Sequence, residues 1–519
     1  MKTAVKESNS SPSRAIDIRP PLNLPIEKLG IFRIDMAKFI PSWDEDEPDG
    51  SGLSRKFARW LVNSTLWDFY DCLAEFETLE QALAWSSKIF PALPLPNIVY
   101  TDMFSDEAMS RLAFFGCACH YTQRIEGKWK PGFGIPEQRS LDNAALYVND
   151  MTVLSIFNVR KPFERYGAAA YFDKDFQLIA IYWCHANRLV EKDDQFWEHA
   201  KYVWRSSFFA YVTICDHLIV THMIECNAFV TATRKCLPVD HPLRLFLKPF
   251  TYHNISVNYQ AAMSLVNRRG LVHRIWAFDY DEFLKVCDYI STNYKFRLLP
   301  EFISPSMFPK SDVEKKEWDK VYPIYLDIKE FWRIIQQYVA NFFEITYNLH
   351  IDIDDEQVET NLSDDKLPVD SYMMNFIDDL CKQLGIPGIT SLKRFVDVLS
   401  QLIADSTGIH EHVGQISGYM IDPRFIGAKL QEGKEMQNIQ TYTQILILTV
   451  VTGLRMPGLL EDWSHLIEHD QNYQKNLKNY QEFKNDLRNL SKDIDQRNKT
   501  RKYPFQSFNP RFIECSASV

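Results

Sequence analysis

The sequence predicts a mainly α-helical fold with a small β portion in its N-terminal third. Three observations carry that expectation. Glycine is sparse, at 18 of 519 residues. Apolar residues recur at helical spacing wherever a period can be read. Segments with strand character are short and few.

With 46% hydrophobic and 14% aromatic residues, the chain can bury one large core. We expect a single large domain over 21–519 behind a polar tail over 1–20. The tail contains Ser8-Asn9-Ser10-Ser11-Pro12-Ser13 and no apolar core of a signal peptide, so it is expected to be disordered. A net charge of -10 without a basic cluster argues against nucleic acid as a partner. Only Cys117 and Cys119 of the ten cysteines are close neighbours. That spacing shows neither a disulfide framework nor a zinc-type pair, and fits a reduced, cytoplasmic protein. The most apolar run, Ile445 to Leu454, is short for a bilayer and reads as a buried core helix, so no transmembrane segment is expected.

Taken in order, Ala144 to Val148 and Gln177 to Trp183 read as strands with a long connection between them. Phe196 to Thr233 reads as one long helix, apolar on most faces and therefore buried. Ile324 to Tyr347 is amphipathic, with Trp332, Ile335, Val339, Phe342 and Phe343 on one stripe. Leu392 to Val413 is a further long helix, and the charged stretch Tyr473 to Lys502 reads as a solvated one. Breaks near 41–52, 91–97, 304–312 and the acidic 351–366 read as surface loops.

The chemistry concentrates in Asp216-His217-Leu218-Ile219-Val220-Thr221-His222. Two imidazoles inside so apolar a helix need partners, because an unpaired buried polar group costs about 1–3 kcal/mol. A metal ion satisfies both rings; so would two separate hydrogen-bonded core sites. On a regular α-helix, residues five apart lie about 140° apart. A local π-type widening would bring them onto one face, and such bulges gather at functional sites.

The flanking residues narrow the choice. Lys201-Tyr202-Val203-Trp204 leads into the pair, and Thr233-Arg234-Lys235-Cys236-Leu237-Pro238 and His241-Pro242-Leu243 follow it. Lys248-Pro249, Val257-Asn258, Leu265-Val266-Asn267-Arg268-Arg269-Gly270 and Tyr322-Pro323 continue the series. This ordered set resembles the metal-helix signature of the lipoxygenase family, well over 196–275, patchily over 320–425 and weakly before 140. The resemblance implies a large helical catalytic domain, with no room for the family's N-terminal β-barrel module. It implies that His217 and His222 bind one iron ion (or manganese) together with His410 of Gly408-Ile409-His410-Glu411-His412. The carboxylate of the last residue, Val519, would complete the set, as a terminal valine does in fungal manganese members. The activity implied is that of a dioxygenase whose metal-bound hydroxide takes hydrogen from a polyunsaturated fatty-acid-like substrate. O2 then adds to give a hydroperoxide, placing the chain in lipid and oxylipin metabolism.

Several positions depart from the family. Four residues after His410, where the family has a further ligand, stands Gly414; Gln415 or His412 would supply that ligand under a shifted alignment. Thr213 replaces a glutamine that relays between pocket and metal. Glu225 sits one position from the family's glutamate and, like Glu411, reads as a support or an additional ligand, with a structural salt bridge as the other reading of Glu225. Arg268 occupies a pocket-wall position and would meet an acidic substrate head or solvent. These departures keep two other readings open: an oxygenase of this fold acting on a non-fatty-acid or carrier-bound substrate by hydroxylation or desaturation, and a catalytically silent ligand-binding relative.

Overall fold

A computed structural model describes residues 102–125, 145–266, 270–351, 367–414 without 368, 425–431, 457–464 and 472–518, with a few isolated positions between them. The expected tail over 1–20, the question of an N-terminal barrel, the breaks at 41–52 and 91–97, and most of 351–366 lie outside the described residues.

The first described helix, α1 (Asp106–Phe115), is capped by Ser105, whose hydroxyl accepts from the Ala108 N–H at 3.1 Å. Asp106 and Glu107 then place negative charge on its first turn. A five-stranded antiparallel meander follows in the order β1 (Thr122–Arg124), β2 (Tyr147–Asp150), β3 (Ala168–Phe172), β4 (Leu178–Trp183) and β5 (Arg188–Glu191). The expected strands correspond to β2, shifted by three residues at its start, and to β4. The central β3 was not anticipated: all five of its residues are buried, so the alternation that marks a half-exposed strand is absent. Gly167 turns the chain into β3 at φ +113°, and a Cβ there would lie 2.9 Å from the Ser155 backbone nitrogen.

Against this sheet packs α2 (Trp197–Cys236), a continuous 40-residue helix. By length and composition it is apolar enough to cross a membrane, yet most of its side chains are buried in the protein interior. The further helices used below are α3 (Asn254–Ser264), α4 (Ile324–Tyr347) and α5 (Ser371–Leu384). A sixth, α6, runs as Leu392–Ala404, Asp405–Ile409 and His410–Gly414; α7 spans Tyr473–Arg497. The boundaries of α4 match the amphipathic period, and α6 matches to one residue.

The solvated reading of α7 is corrected. One face of it, including Tyr480, Phe483, Leu487, Leu490 and Ile494, is buried, and Phe483 stacks on Tyr338 of α4 at 4.1 Å. Its charged residues form the other face and mask the apolar stripe when composition alone is read. Of the run Ile445 to Leu454, only Ile445 and Leu448 are described; both are helical and buried. The break at 304–312 is a surface connection holding the 3-10 turn Pro305–Met307.

Candidate metal centre

The site is built where α2 and α6 cross, and both helices are widened there. From Val212 to Cys226, α2 is a π-helix, with i→i+5 bonding. Five-residue spacing therefore returns to one face, and His217 and His222 stand with ring centroids 4.7 Å apart. The same widening occupies Asp405–Ile409, the turn that delivers His410. Gly408 sits in that turn against Phe331 of α4: a Cβ would fall 2.6 Å from the Phe331 ring, so only glycine lets the two helices meet this closely.

The three rings converge through one atom each. His217 Nε2 lies 3.1 Å from His410 Nε2 and 3.2 Å from His222 Nε2, and the last two are 3.1 Å apart. A buried side-chain pair, Asn258 of α3 and His222, fixes one tautomer. Asn258 Nδ2 donates to the His222 carbonyl at 2.9 Å, so its Oδ1 faces His222 Nδ1 at 3.1 Å as an acceptor. His222 Nδ1 must then carry the proton, leaving Nε2 with a lone pair aimed at the other two rings. Burial, followed by the neighbouring His222 and His410, holds His217 well below the usual histidine range and hence neutral.

Three imidazole nitrogens at these separations fit a metal ion. Edges of 3.1–3.2 Å are those of three adjacent octahedral positions around an ion with bonds of about 2.2 Å, the facial arrangement that leaves other positions open. Among the described residues no other group of three histidine, cysteine or carboxylate side chains brings its ligand atoms together in this way.

The remaining expected positions divide clearly. His412 does not reach the cluster; its Nε2 lies 3.3 Å from His120 Nδ1 on the far side of α6, since two residues of helix turn it away from His410. Gly414 does reach it: a Cβ there would stand 3.2 Å from His217 Nε2, so a bare glycine borders the centre where a side chain would crowd it. Glu411 is half-buried and outside the cluster. Thr213 is buried, and its hydroxyl has no hydrogen-bond partner among the described residues. Gln415, Arg268 and Val519 lie outside the described residues. The chain before Val519 is packed inward, with Cys515 to Ser518 buried and Ser516 Oγ donating to the Tyr252 carbonyl at 2.8 Å. His241 belongs elsewhere: its Nδ1 caps the helix Pro242–Leu247 and its Nε2 lies 3.0 Å from Asp370 of the α5 cap.

Glu225 is buried one turn beyond His222 and accepts from the Tyr294 hydroxyl at 2.9 Å, apart from the three rings. Burial pushes its carboxyl up to about 7 from an ordinary 4.5. Asp405, on the wide turn of α6, is likewise held well above the usual carboxylate range by burial and then by Glu225. A folded state that keeps a proton the unfolded chain releases loses stability as pH rises. The Glu225 contribution to the stability of the metal-free protein should therefore fall between pH about 4.5 and about 7, by on the order of 3 kcal/mol, with Asp405 adding a loss of the same sign. Urea denaturation at stepped pH measures this slope, and Glu225→Gln should reduce it to the part that Asp405 contributes. An unchanged slope in that variant would remove Glu225 as its source.

Asn258, His120 and Asp405 were not singled out from the sequence. Asn258 stood within the recognised Val257-Asn258 pair, but its hydrogen bonds to a ring 36 residues away have no local signature.

The family model described as Lipoxygenase matches residues 178–366. A polyunsaturated fatty acid lipoxygenase of Mus musculus is 22% identical over 349 residues, covering 62% of this chain and 49% of the relative. An arachidonate 12-lipoxygenase, 12R-type, from the same organism is 23% identical, covering 62% and 46%. The match thus spans about half the length of these curated relatives. Among solved structures, a fungal lipoxygenase from Fusarium graminearum superposes with TM-score 0.66 at 16% identity, covering 96% of this chain and 90% of that one. The manganese lipoxygenase of Gaeumannomyces graminis gives 0.62 at 13% identity, covering 95% and 92%. Residues 178–366 thus carry a lipoxygenase family match, and the fold of the chain is that of the lipoxygenases.

Proposed function

We propose that this chain holds one iron or manganese ion on His217, His222 and His410 and adds O2 to a polyunsaturated acyl chain to give a hydroperoxide. The observation that carries this reading is the triangle of three buried Nε2 atoms at 3.1–3.2 Å. When bound, the ion supplies the one-electron couple and the oxygen chemistry that no amino-acid side chain possesses. The chain's own residues prepare the place for it. Asn258 holds His222 in the tautomer that presents a lone pair. Burial keeps His217 uncharged. Leu218, Ile409 and Val413, beside the ligands in sequence, are buried and apolar and exclude water. The carboxylate of Val519 is proposed as the fourth protein ligand, supported by the inward packing of Cys515 to Ser518.

The test is elemental analysis of untagged protein followed by oxygen uptake with linoleate, monitored with the ultraviolet absorbance of a conjugated diene. Near-stoichiometric iron or manganese and coupled uptake are expected. A C-terminal extension that turns the Val519 carboxylate into an amide should lower retained metal. Metal without linoleate turnover would move the chain to another substrate, and metal-free protein at every loading would leave a silent relative of the fold.

A further inference from the structure

One side chain links the backs of both metal-bearing helices. His120 stands on the 3-10 turn Cys119–Tyr121, just before β1, and is buried. Its Nδ1 lies 3.3 Å from Nε2 of His412, two residues after His410. Its Nε2 lies 3.5 Å from Oδ2 of Asp216, the residue before His217. Asp216 is anchored a second time from the same turn, accepting from the Tyr121 hydroxyl at 2.5 Å. The His120 ring itself is stacked on Phe302 at 4.4 Å.

These contacts order the protons. Asp216 stands at ion-pair distance from Nε2 without hydrogen-bonding it, and its charge on that side favours the N–H there, so that Nδ1 of His120 accepts from the Nε2–H of His412. His412 is thereby committed away from the metal centre. Both contacts fall on helix faces turned away from His217 and His410, because Asp216 is displaced from His217 by roughly a quarter turn of the widened helix and His412 from His410 by about 200° of the α-helical piece. A bridge at those points sets the rotation of α2 and α6 about their axes. Rotation is what the centre needs fixed, since on a regular α-helical turn His217 and His222 would stand about 140° apart.

We infer that His120 is a positioning residue for the metal centre, holding α2 and α6 in the rotational setting at which three imidazoles meet. The inference rests on the reading that those imidazoles bind an ion, and not on which reaction the ion serves. Supporting groups that orient metal ligands from outside the coordination sphere commonly change affinity by about 10–100-fold when removed.

The test uses Co(II), whose visible bands report coordination geometry, titrated into the full-length metal-free protein, together with the thermal midpoint of that metal-free protein. H120F keeps the ring stacked on Phe302 and removes both nitrogens. H120Q restores one acceptor and one donor. H120F is expected to weaken Co(II) binding by about tenfold or more and to alter the bands, while H120Q stays within about threefold of wild type with its band shape. The metal-free midpoints of the two variants should coincide. Should H120F not accumulate as folded protein, H120N, whose shorter amide reaches only one partner, takes its place with the same expected loss. Wild-type affinity in H120F, or equal weakening in H120F and H120Q, overturns the inference. So does a loss matched by a fall in the metal-free midpoint, since general packing would explain it. Wild-type protein that binds Co(II) but consumes no O2 sinks the oxygenase reading alone; wild-type protein that binds no Co(II) sinks both.

Discussion

His217→Ala, His222→Ala and His410→Ala should each retain less than about a tenth of the wild-type iron or manganese, whereas His241→Ala should retain all of it. The three Nε2 atoms are mutually adjacent at 3.1–3.2 Å, so each substitution removes one vertex of a single triangle. His241 serves as a cap on Pro242–Leu247 and a partner of Asp370, away from the centre. Its loss should show as a stability change of about 0.5–2 kcal/mol, the range for a lost helix cap. Metal content by elemental analysis after extensive dialysis is the measurement. Comparable metal in all four variants would end the three-histidine assignment.

Asp327→Ala should destabilise the fold by about 3–5 kcal/mol, more than other single changes on the helix surfaces. Asp327 of α4 is fully buried and accepts from Arg497 at 2.9 Å and from both terminal nitrogens of Arg501, at 2.8 and 2.6 Å. The Arg501 side chain is itself fully buried, with Asp319 as its other carboxylate partner at 2.6 Å. Removing Asp327 leaves a buried guanidinium short of its principal counter-charge, and that desolvation cannot be recovered without opening the structure. Arg497 and Arg501 stand where α7 passes into the tail over 502–518, so the same change should loosen the segment that packs toward Val519 and lower metal retention. Lys320→Ala offers the contrast: its pair with Glu317 is exposed on both sides and should be worth less than about 1 kcal/mol. Denaturant midpoints for the two variants decide the matter. A loss below about 1 kcal/mol in Asp327→Ala would mean that burial of this network has been overrated.

The histidine helices were legible because two signals agreed. His217 and His222 were polar in an apolar run, and their spacing of five would share one face on a widened turn, which the structure contains from Val212 to Cys226. The amphipathic stripe of α4 was legible for the same kind of reason, since a period of 3.6 survives in the residue order. The strand β3 was not, because a fully buried strand has no alternation to read. Nor was the buried face of α7, whose Asn, Lys and Arg residues outnumber the aromatics that carry its packing.

From residue order alone came the helical class, the two helices bearing the candidate ligands, and the resemblance to the lipoxygenases. All three are local or sequential properties, carried by period, spacing and the order of short motifs. What tertiary structure decided was which polar side chains face the centre and which face away. His412 turns to His120 across 292 residues of chain, Asn258 selects the tautomer of His222, and Gly414 leaves its position beside His217 bare. Those outcomes depend on how two helices are rotated against their neighbours, and rotation is set by the summed packing of segments far apart in sequence.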